Sequence, residues 1–166
     1  GETAGGTGIY AMGVRRDVAA SSAGATGDNT MASFDVLGSM WVRHLDPCSG
    51  VAKVSVPVDI VTATTTEIIN ESASNYAYIC AVNLVSAGAN NVSLVEDDTD
   101  ACASPTAGMA GGVTSGEGWN LAANGGLTLG GGLGTVIKSN TVNRNICLIT
   151  SANVQLSGTV VYALAP

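Results

Sequence analysis

Short β-branched segments separated by glycine-rich turns dominate the sequence from Asp59 to Pro166 and constrain its fold more than any other feature. Segments of this kind are typical of strands, and no stretch repeats apolar residues every three or four positions with a polar opposite face. A helical bundle also needs charged exposed faces, yet only 11% of the residues are charged. The pattern therefore predicts an all-β protein, a jelly-roll-like β-sandwich. The expected strands are Ile60–Thr66, Tyr76–Val85, Asn91–Val95, Trp119–Ala122, Leu127–Leu129, Thr135–Lys138, Asn145–Thr150 and Val154–Leu164.

The residues before this region divide into two further zones. Residues 1–47 are rich in Gly, Ala and Ser, which predicts an extended N-terminal arm, and they end in a predicted β-hairpin. The hairpin pairs Met31–Val36 with Met40–Leu45 around a turn at Gly38. Residues 48–58 form an expected link with one strand at Val51–Val56, and residues 59–166 form the sandwich domain.

The charge of the chain excludes some partners and suggests another. A net charge of −7 and few basic residues argue against nucleic acid, and no run of about 18 apolar residues predicts a membrane span. Every acidic residue lies at or before Glu117, and only Lys138 and Arg144 are charged after it. Interface cores are depleted of charge, so this C-terminal part is expected to contact another copy of the chain in a homo-oligomer.

The four cysteines are widely spaced, at Cys48, Cys80, Cys102 and Cys147. The absence of a CxxC pair and the presence of one histidine argue against zinc. Disulfides are expected if the protein lives outside a reducing cytosol, and buried thiols are the alternative. Of the three full pairings, Cys80 with Cys102 is favoured because the hairpin after Cys80 brings the two near each other.

Candidate catalytic chemistry is sparse, so no enzymatic activity and no cofactor are expected. His44 is the only histidine, and no GxSxG nucleophile motif is present. Asp97, Asp98 and Asp100 could offer oxygen ligands to calcium, but their loop lacks the spacing of an EF-hand, and a solvated acidic loop is the simpler interpretation. The glycine runs lack the lysine of a phosphate-binding loop and are expected to be turns.

Two regions of the sequence carry motifs that can be compared with those of a known family. In the first region, Val14-Arg15-Arg16-Asp17 and Gly27-Asp28 lead into Phe34–Arg43. This stretch resembles the Asp-x-x-Gly-x-Leu/Met-Trp-Val hairpin of bacteriophage virion structural proteins. The second half resembles a β-sandwich module of decoration proteins, tail fibres and baseplate parts. Its similar features are Thr66–Ile69, Tyr78–Cys80, the Cys102 loop, Gly131–Gly134, Asn145–Leu148 and Val154–Tyr162, while Cys48 lies outside that pattern.

This resemblance implies a non-enzymatic protein of the virion, either a capsid decoration subunit or a tail or fibre component. It implies structural or interface roles for Asp35, Gly38, Trp41 and Arg43, with Gly38 in the turn and Trp41 anchoring the return strand. The expected partners are other copies of this chain and other virion proteins. The alternatives are an extracellular filament subunit, or a carbohydrate-binding or adhesin module that meets a host surface glycan through Trp119, Tyr76 and Tyr78.

Overall fold

The computed structural model describes residues 13–15, 32–34, 46–70, 72–98 and 102–166. The chain divides into two compact units, Gly1–Arg43 and His44–Pro166. In the first unit, β1 (Gly13–Arg15) pairs in parallel with β2 (Ala32–Phe34). β2 coincides with the first strand of the predicted hairpin, but its described partner is β1, and the predicted return strand Met40–Leu45 lies outside the described residues.

The second unit is a sandwich of short strands with little helix. The one α-helix among its described residues, α1 (Pro47–Gly50), precedes the strands, and a 3₁₀ turn occupies Ser115–Glu117. No described helix is long and apolar enough to cross a membrane. The strands are β3 (Val54–Ile60), β4 (Thr65–Ile69), β5 (Tyr76–Ser86), β6 (Asn90–Asp97), β7 (Ala107–Ala110), β8 (Trp119–Leu121), β9 (Gly126–Leu129), β10 (Ile137–Lys138), β11 (Asn145–Thr150) and β12 (Leu156–Ala165).

The strands form two antiparallel sheets. In sheet 1, β12 lies between β3 and β5, and the other side of β5 pairs with both β9 and β10. In sheet 2, β11 lies between β4 and β6, and the other side of β6 pairs with both β7 and β8. Each of these double partners acts as one edge strand interrupted by a loop.

Counting β7 with β8 and β9 with β10 gives eight strands, and their order is that of a jelly roll. Sheet 1 holds the first, eighth, third and sixth strands, and sheet 2 holds the second, seventh, fourth and fifth. The predicted all-β sandwich with jelly-roll-like architecture is therefore confirmed.

The main core lies between the sheets and is built from the inward-facing residues of both. Alternate residues of an antiparallel strand face the same side, so β12 supplies Leu156 and Val160 while β11 supplies Ile146 and Leu148. All four are fully buried. β11 is buried along its whole length because its outer residues Cys147 and Ile149 are covered as well.

A β-bulge at Cys80 reverses the alternation of β5 halfway along the strand. Val161 pairs with Ala81 and Tyr162 pairs with Ile79, so Cys80 is the extra residue. Because of this insertion, Ile79 and Val82 both face the core although they are three residues apart. Cys80 itself faces outward, into a small cluster with Cys48 and Ala163.

The cysteines form two disulfides, Cys48–Cys80 and Cys102–Cys147, with Cα–Cα distances of 5.4 and 6.2 Å. The expectation of disulfides is confirmed, but the favoured pairing of Cys80 with Cys102 is wrong. Cys80 lies on the outer side of sheet 1, whereas Cys102 bonds to Cys147 on the outer side of sheet 2. The β5–β6 connection crosses between the sheets, so it does not bring the two cysteines together.

The predicted link at residues 48–58 contains most of α1 and most of β3. The predicted strand Val51–Val56 stops before Pro57, whereas β3 continues through Pro57 to Ile60, because β3 lies at the edge of sheet 1, where a strand tolerates a residue without an N–H. The predicted strand Ile60–Thr66 is also interrupted, since residues 62–64 form a bend between β3 and β4. Side-chain hydrogen bonds hold that bend: the Thr150 hydroxyl donates to the carbonyl of Thr62, and Asn153 Oδ1 accepts from the amide of Ala63.

Peptide mapping without reductant should recover two cross-linked pairs, Cys48 with Cys80 and Cys102 with Cys147. Replacing either pair by alanine should lower the free energy of unfolding by about 4 kcal/mol, because the unfolded chain gains the entropy of an open loop. Denaturant titration measures this loss. A peptide joining Cys80 to Cys102, or four alkylatable thiols in the unreduced protein, would contradict the assignment.

Candidate functional site

Several residues singled out in the sequence lie outside the described residues. They are Asp35, Gly38, Trp41, Arg43, His44 and Asp100. The remaining site predictions concern Asp97 and Asp98, the cysteines and the aromatic residues, all of which have a described environment.

The carboxylates of Asp97 and Asp98 are engaged by neighbouring protein groups. Asp97 is fully buried, its Oδ1 accepts from the amide of Asp98 at 2.8 Å, and its Oδ2 accepts from the amide of Ser104 at 3.1 Å. Asp98 pairs with Arg144 at 3.2 Å. Across the described part of the chain, no group of three His, Cys, Asp or Glu side chains could hold a metal ion. The carboxylates of Asp97 and Asp98 therefore hold this acidic segment against neighbouring groups of the same chain.

Glu96 links the end of sheet 2 to the connection between β10 and β11. Its side chain is buried, and its two carboxylate oxygens accept from the backbone amide and side-chain amide of Asn140 at 2.8 and 3.1 Å. A buried carboxylate needs such partners, so Glu96 is a structural residue at the end of the sandwich.

The segment from Asp46 to Lys53 is anchored on the outer side of sheet 1. Asp46 caps α1 by accepting from the amide of Cys48 at 2.8 Å. The same carboxylate accepts from the amide and hydroxyl of Thr135 at 2.9 and 3.0 Å. Sequence reasoning missed this role of Asp46, although Asp followed by Pro is a recognisable helix start.

The glycine-rich loop between β9 and β10 completes this anchor. Lys53 Nζ donates to the carbonyls of Cys48 and Gly132, and the Ser49 hydroxyl donates to the carbonyl of Leu133. Gly130 has a φ of +72°, and a Cβ there would meet the carbonyl oxygen of Cys80. The glycines are thus turn residues, as predicted, and they allow the loop to lie close to the bulge in β5.

Tyr76, Tyr78 and Lys138 form an aromatic cluster near one end of sheet 1. The ring centroids are 6.3 Å apart, and Lys138 Nζ lies 3.5 Å from the centroid of Tyr76 and 5.3 Å from that of Tyr78. An exposed cation–π contact of this kind contributes roughly 0.5–1 kcal/mol. Trp119, the third predicted stacking residue, lies on β8 in sheet 2 and packs against the core, so the three side chains do not form one platform.

The outer sides of the two sheets differ. On sheet 2, the disulfide at Cys147 and the cluster with Val95 and Ile149 are covered. Beyond α1, the outer side of sheet 1 exposes a surface that we term the open face, in which Asp59 is the one charged residue and Val85 is 50% exposed. It comprises Ser55, Pro57, Asp59, Ala81, Asn83, Val85, Thr128, Ser157, Thr159 and Val161.

All four edges of sheets 1 and 2 carry features that hinder the addition of another strand. β3 contains Pro57, and β4 has a bulge at Ile68. The other two edges are interrupted, by residues 111–118 between β7 and β8 and by residues 130–136 between β9 and β10. Proline, bulges and short edge strands are the usual means of blocking edge pairing. The edges of sheets 1 and 2 are therefore poorly suited to pairing with a further strand.

Comparison with protein-family models, with curated protein sequences and with solved structures finds no match to this chain.

The loop between β7 and β8 contains a carboxylate, that of Glu117, whose pKa is set by hydrogen bonds within the loop. The hydroxyl and the amide of Thr114 donate to Glu117 Oε2 at 2.7 and 3.1 Å, and these bonds hold the pKa of Glu117 below its ordinary value of 4.5. A lowered pKa means that this contact stabilises the folded loop above pH 4.5 and is lost as the pH falls through the lowered pKa.

Thr114→Val should raise the pKa of Glu117 towards its ordinary value, because it removes the hydroxyl donor. An NMR titration of the Glu117 carboxyl carbon measures this shift. Ser115→Ala, which removes a hydroxyl from the same turn, is the control and should leave the midpoint unchanged. An unchanged midpoint in Thr114→Val would show that the hydroxyl bond does not set the pKa.

Proposed function

We propose that this chain is a non-enzymatic structural subunit of an extracellular particle, a capsid decoration protein or a tail or fibre component of a bacteriophage virion. The observation that carries the proposal is the open face, which presents a single carboxylate on a chain whose net charge is −7. Two copies of so acidic a chain repel each other least where each presents the fewest charges. The open face is accordingly the surface through which copies contact.

The fold and the disulfides support the same role. Jelly rolls are the architecture of viral capsid domains and of lectins, and disulfides persist in oxidising surroundings outside the cytosol. A virion part must present inert surface and hold its shape, and the described carboxylates and lysines mostly bind the chain's own groups. The resemblance of the sequence to phage structural proteins supports the virion in preference to a cellular filament.

The size of the open face suggests a weak pairwise contact that gains strength in an array. Four strands spaced about 4.8 Å apart, each contributing about six residues, cover roughly 400 Å² in projection. A stable pairwise interface buries about 800 Å² on each partner. Copies held side by side on a particle gain from multivalency, so the contact operates in the assembly.

Asn83→Lys places a charge at the centre of the open face and should weaken self-association. Asn120→Lys is the matched control, since Asn120 is an exposed asparagine on the outer side of β8 in sheet 2. Sedimentation equilibrium over a wide concentration range should show association in the wild type and in Asn120→Lys and its loss in Asn83→Lys. Equal behaviour of the two variants, or a strictly monomeric wild type, would refute the open face as the contact.

The assignment to a virion is tested separately, by following the chain with a specific antibody through density-gradient purification of phage particles. The chain should band with intact particles and label a defined part of them in electron micrographs. If it is absent from particles while its self-association persists, the filament alternative replaces the virion.

The second candidate is a glycan-binding module, favoured by the cluster of Tyr76, Tyr78 and Lys138. Tyrosine rings stack on sugars, and an ammonium group suits an acidic sugar. Binding of sialylated or uronic-acid oligosaccharides that is lost in Tyr78→Ala and retained in Trp119→Phe would favour this candidate.

A further inference from the structure

We propose that the two disulfides make this sandwich a tension-bearing link, in which a pull arriving from the N-terminal residues is transferred through Cys48–Cys80 directly to the inner strand β5. The inference deepens the proposed structural role and rests on it, since particle components experience mechanical load. It concerns how force travels through one chain, so it can be tested without any assembly.

The first cross-link lies where the chain joins the sandwich. Cys48 follows Asp46 in α1, and both Cys48 and Cys80 are fully buried. Cys80 belongs to β5, which is paired on both sides, with β12 and with β9 and β10. A pull on the residues before Asp46 therefore meets a covalent bond to an inner strand before it reaches β3.

The two cross-links enclose every edge strand of the sandwich. The loop closed by Cys48–Cys80 has a sequence separation of 32 and contains β3 and β4. The loop closed by Cys102–Cys147 has a separation of 45 and contains β7, β8, β9 and β10. Force between the two ends of the chain bypasses both loops through the sulfur atoms, so these six strands carry no backbone tension.

Beyond Cys48, the backbone that does carry tension consists of residues 80–102 and 147–166. These residues hold the second half of β5, all of β6, most of β11 and all of β12. Each of these four strands has a neighbour on both sides within its sheet. The load path thus follows the inner strands of both sheets.

The division of the strands into loaded inner strands and unloaded edge strands determines the rupture force. An edge strand has one hydrogen-bonded neighbour and can be peeled from it one bond at a time. Without the first cross-link, a pull on Asp46 would detach β3 from β12, beginning where Val54 pairs with Tyr162. With the cross-link, the first rupture must separate an inner strand from two neighbours at once. A higher force is expected for that event.

Single-molecule force spectroscopy on the full chain, with handles at both ends, tests the inference. Cys48→Ala/Cys80→Ala should rupture at a lower mean force than the wild type and should lengthen on full extension by about 110 Å, for 32 residues at roughly 3.4 Å each. Cys102→Ala/Cys147→Ala is the matched control. It should lengthen by about 150 Å for 45 residues while keeping the wild-type force of the first rupture.

An equal decrease of the first-rupture force in the two variants would contradict the inference. Such a result would show that removing either disulfide weakens the fold in general and that the position of the first disulfide in the force path has no special effect. An unchanged first-rupture force in Cys48→Ala/Cys80→Ala would also overturn it. Should that variant fail to fold, the wild type can be pulled from a click-reactive residue at the exposed Val61, Val61→azidophenylalanine, which applies tension to β3 and β4 with both cross-links intact. A rupture force below that of N-terminal pulling supports the inference, and an equal force refutes it.

Discussion

The apolar contact between the two sheets is the interaction on which the rest of the structure depends. Most inward residues of β5, β6, β11 and β12 are fully buried there, and burial of such side chains contributes about 1.5–3 kcal/mol each. Because this contact fixes which residues face inward, it also fixes what each outer side presents. The bulge at Cys80 shows the strength of the constraint: an extra residue is accommodated by turning a cysteine outward, while Ile79 and Val82 keep their places in the core.

The absence of acidic residues after Glu117 has two physical origins. β11 is buried on both sides, and Leu156 and Val160 on the core side of β12 are buried too, so part of the segment is neutral because it is interior. Ser157, Thr159 and Val161 are neutral at the open face, where burial within one chain does not require it. In the sequence, the interior residues and the open-face residues appear together as one charge-poor segment. The topology separates them, and only the second group is available to a partner.

Strand composition predicted the fold class because alternation and β-branching are local signals, and β5, β6, β11 and β12 were recognised with small errors at their ends. The failures have a common cause in tertiary contacts. The bend at residues 62–64 reads as strand from its threonines, yet Thr150 and Asn153 hold it by hydrogen bonds from distant parts of the chain. The pairing of Cys48 with Cys80 depends on α1 reaching across sheet 1 to the bulge. Asp46 and Thr135, which lie 89 positions apart in the sequence, meet for the same reason.

The placement of the disulfides follows from the order of strands in a jelly roll. Edge strands come in consecutive pairs along the chain, first and second, then fifth and sixth, while the inner strands are the third, fourth, seventh and eighth. A single cross-link that spans one consecutive pair therefore removes two edges from the tension path, one in each sheet. Two cross-links suffice for all four edges. The pairing of Cys80 with Cys102 would instead have enclosed β6, an inner strand, and left β3 open to peeling. In this topology the observed pairing is the one that leaves the inner strands to carry the load.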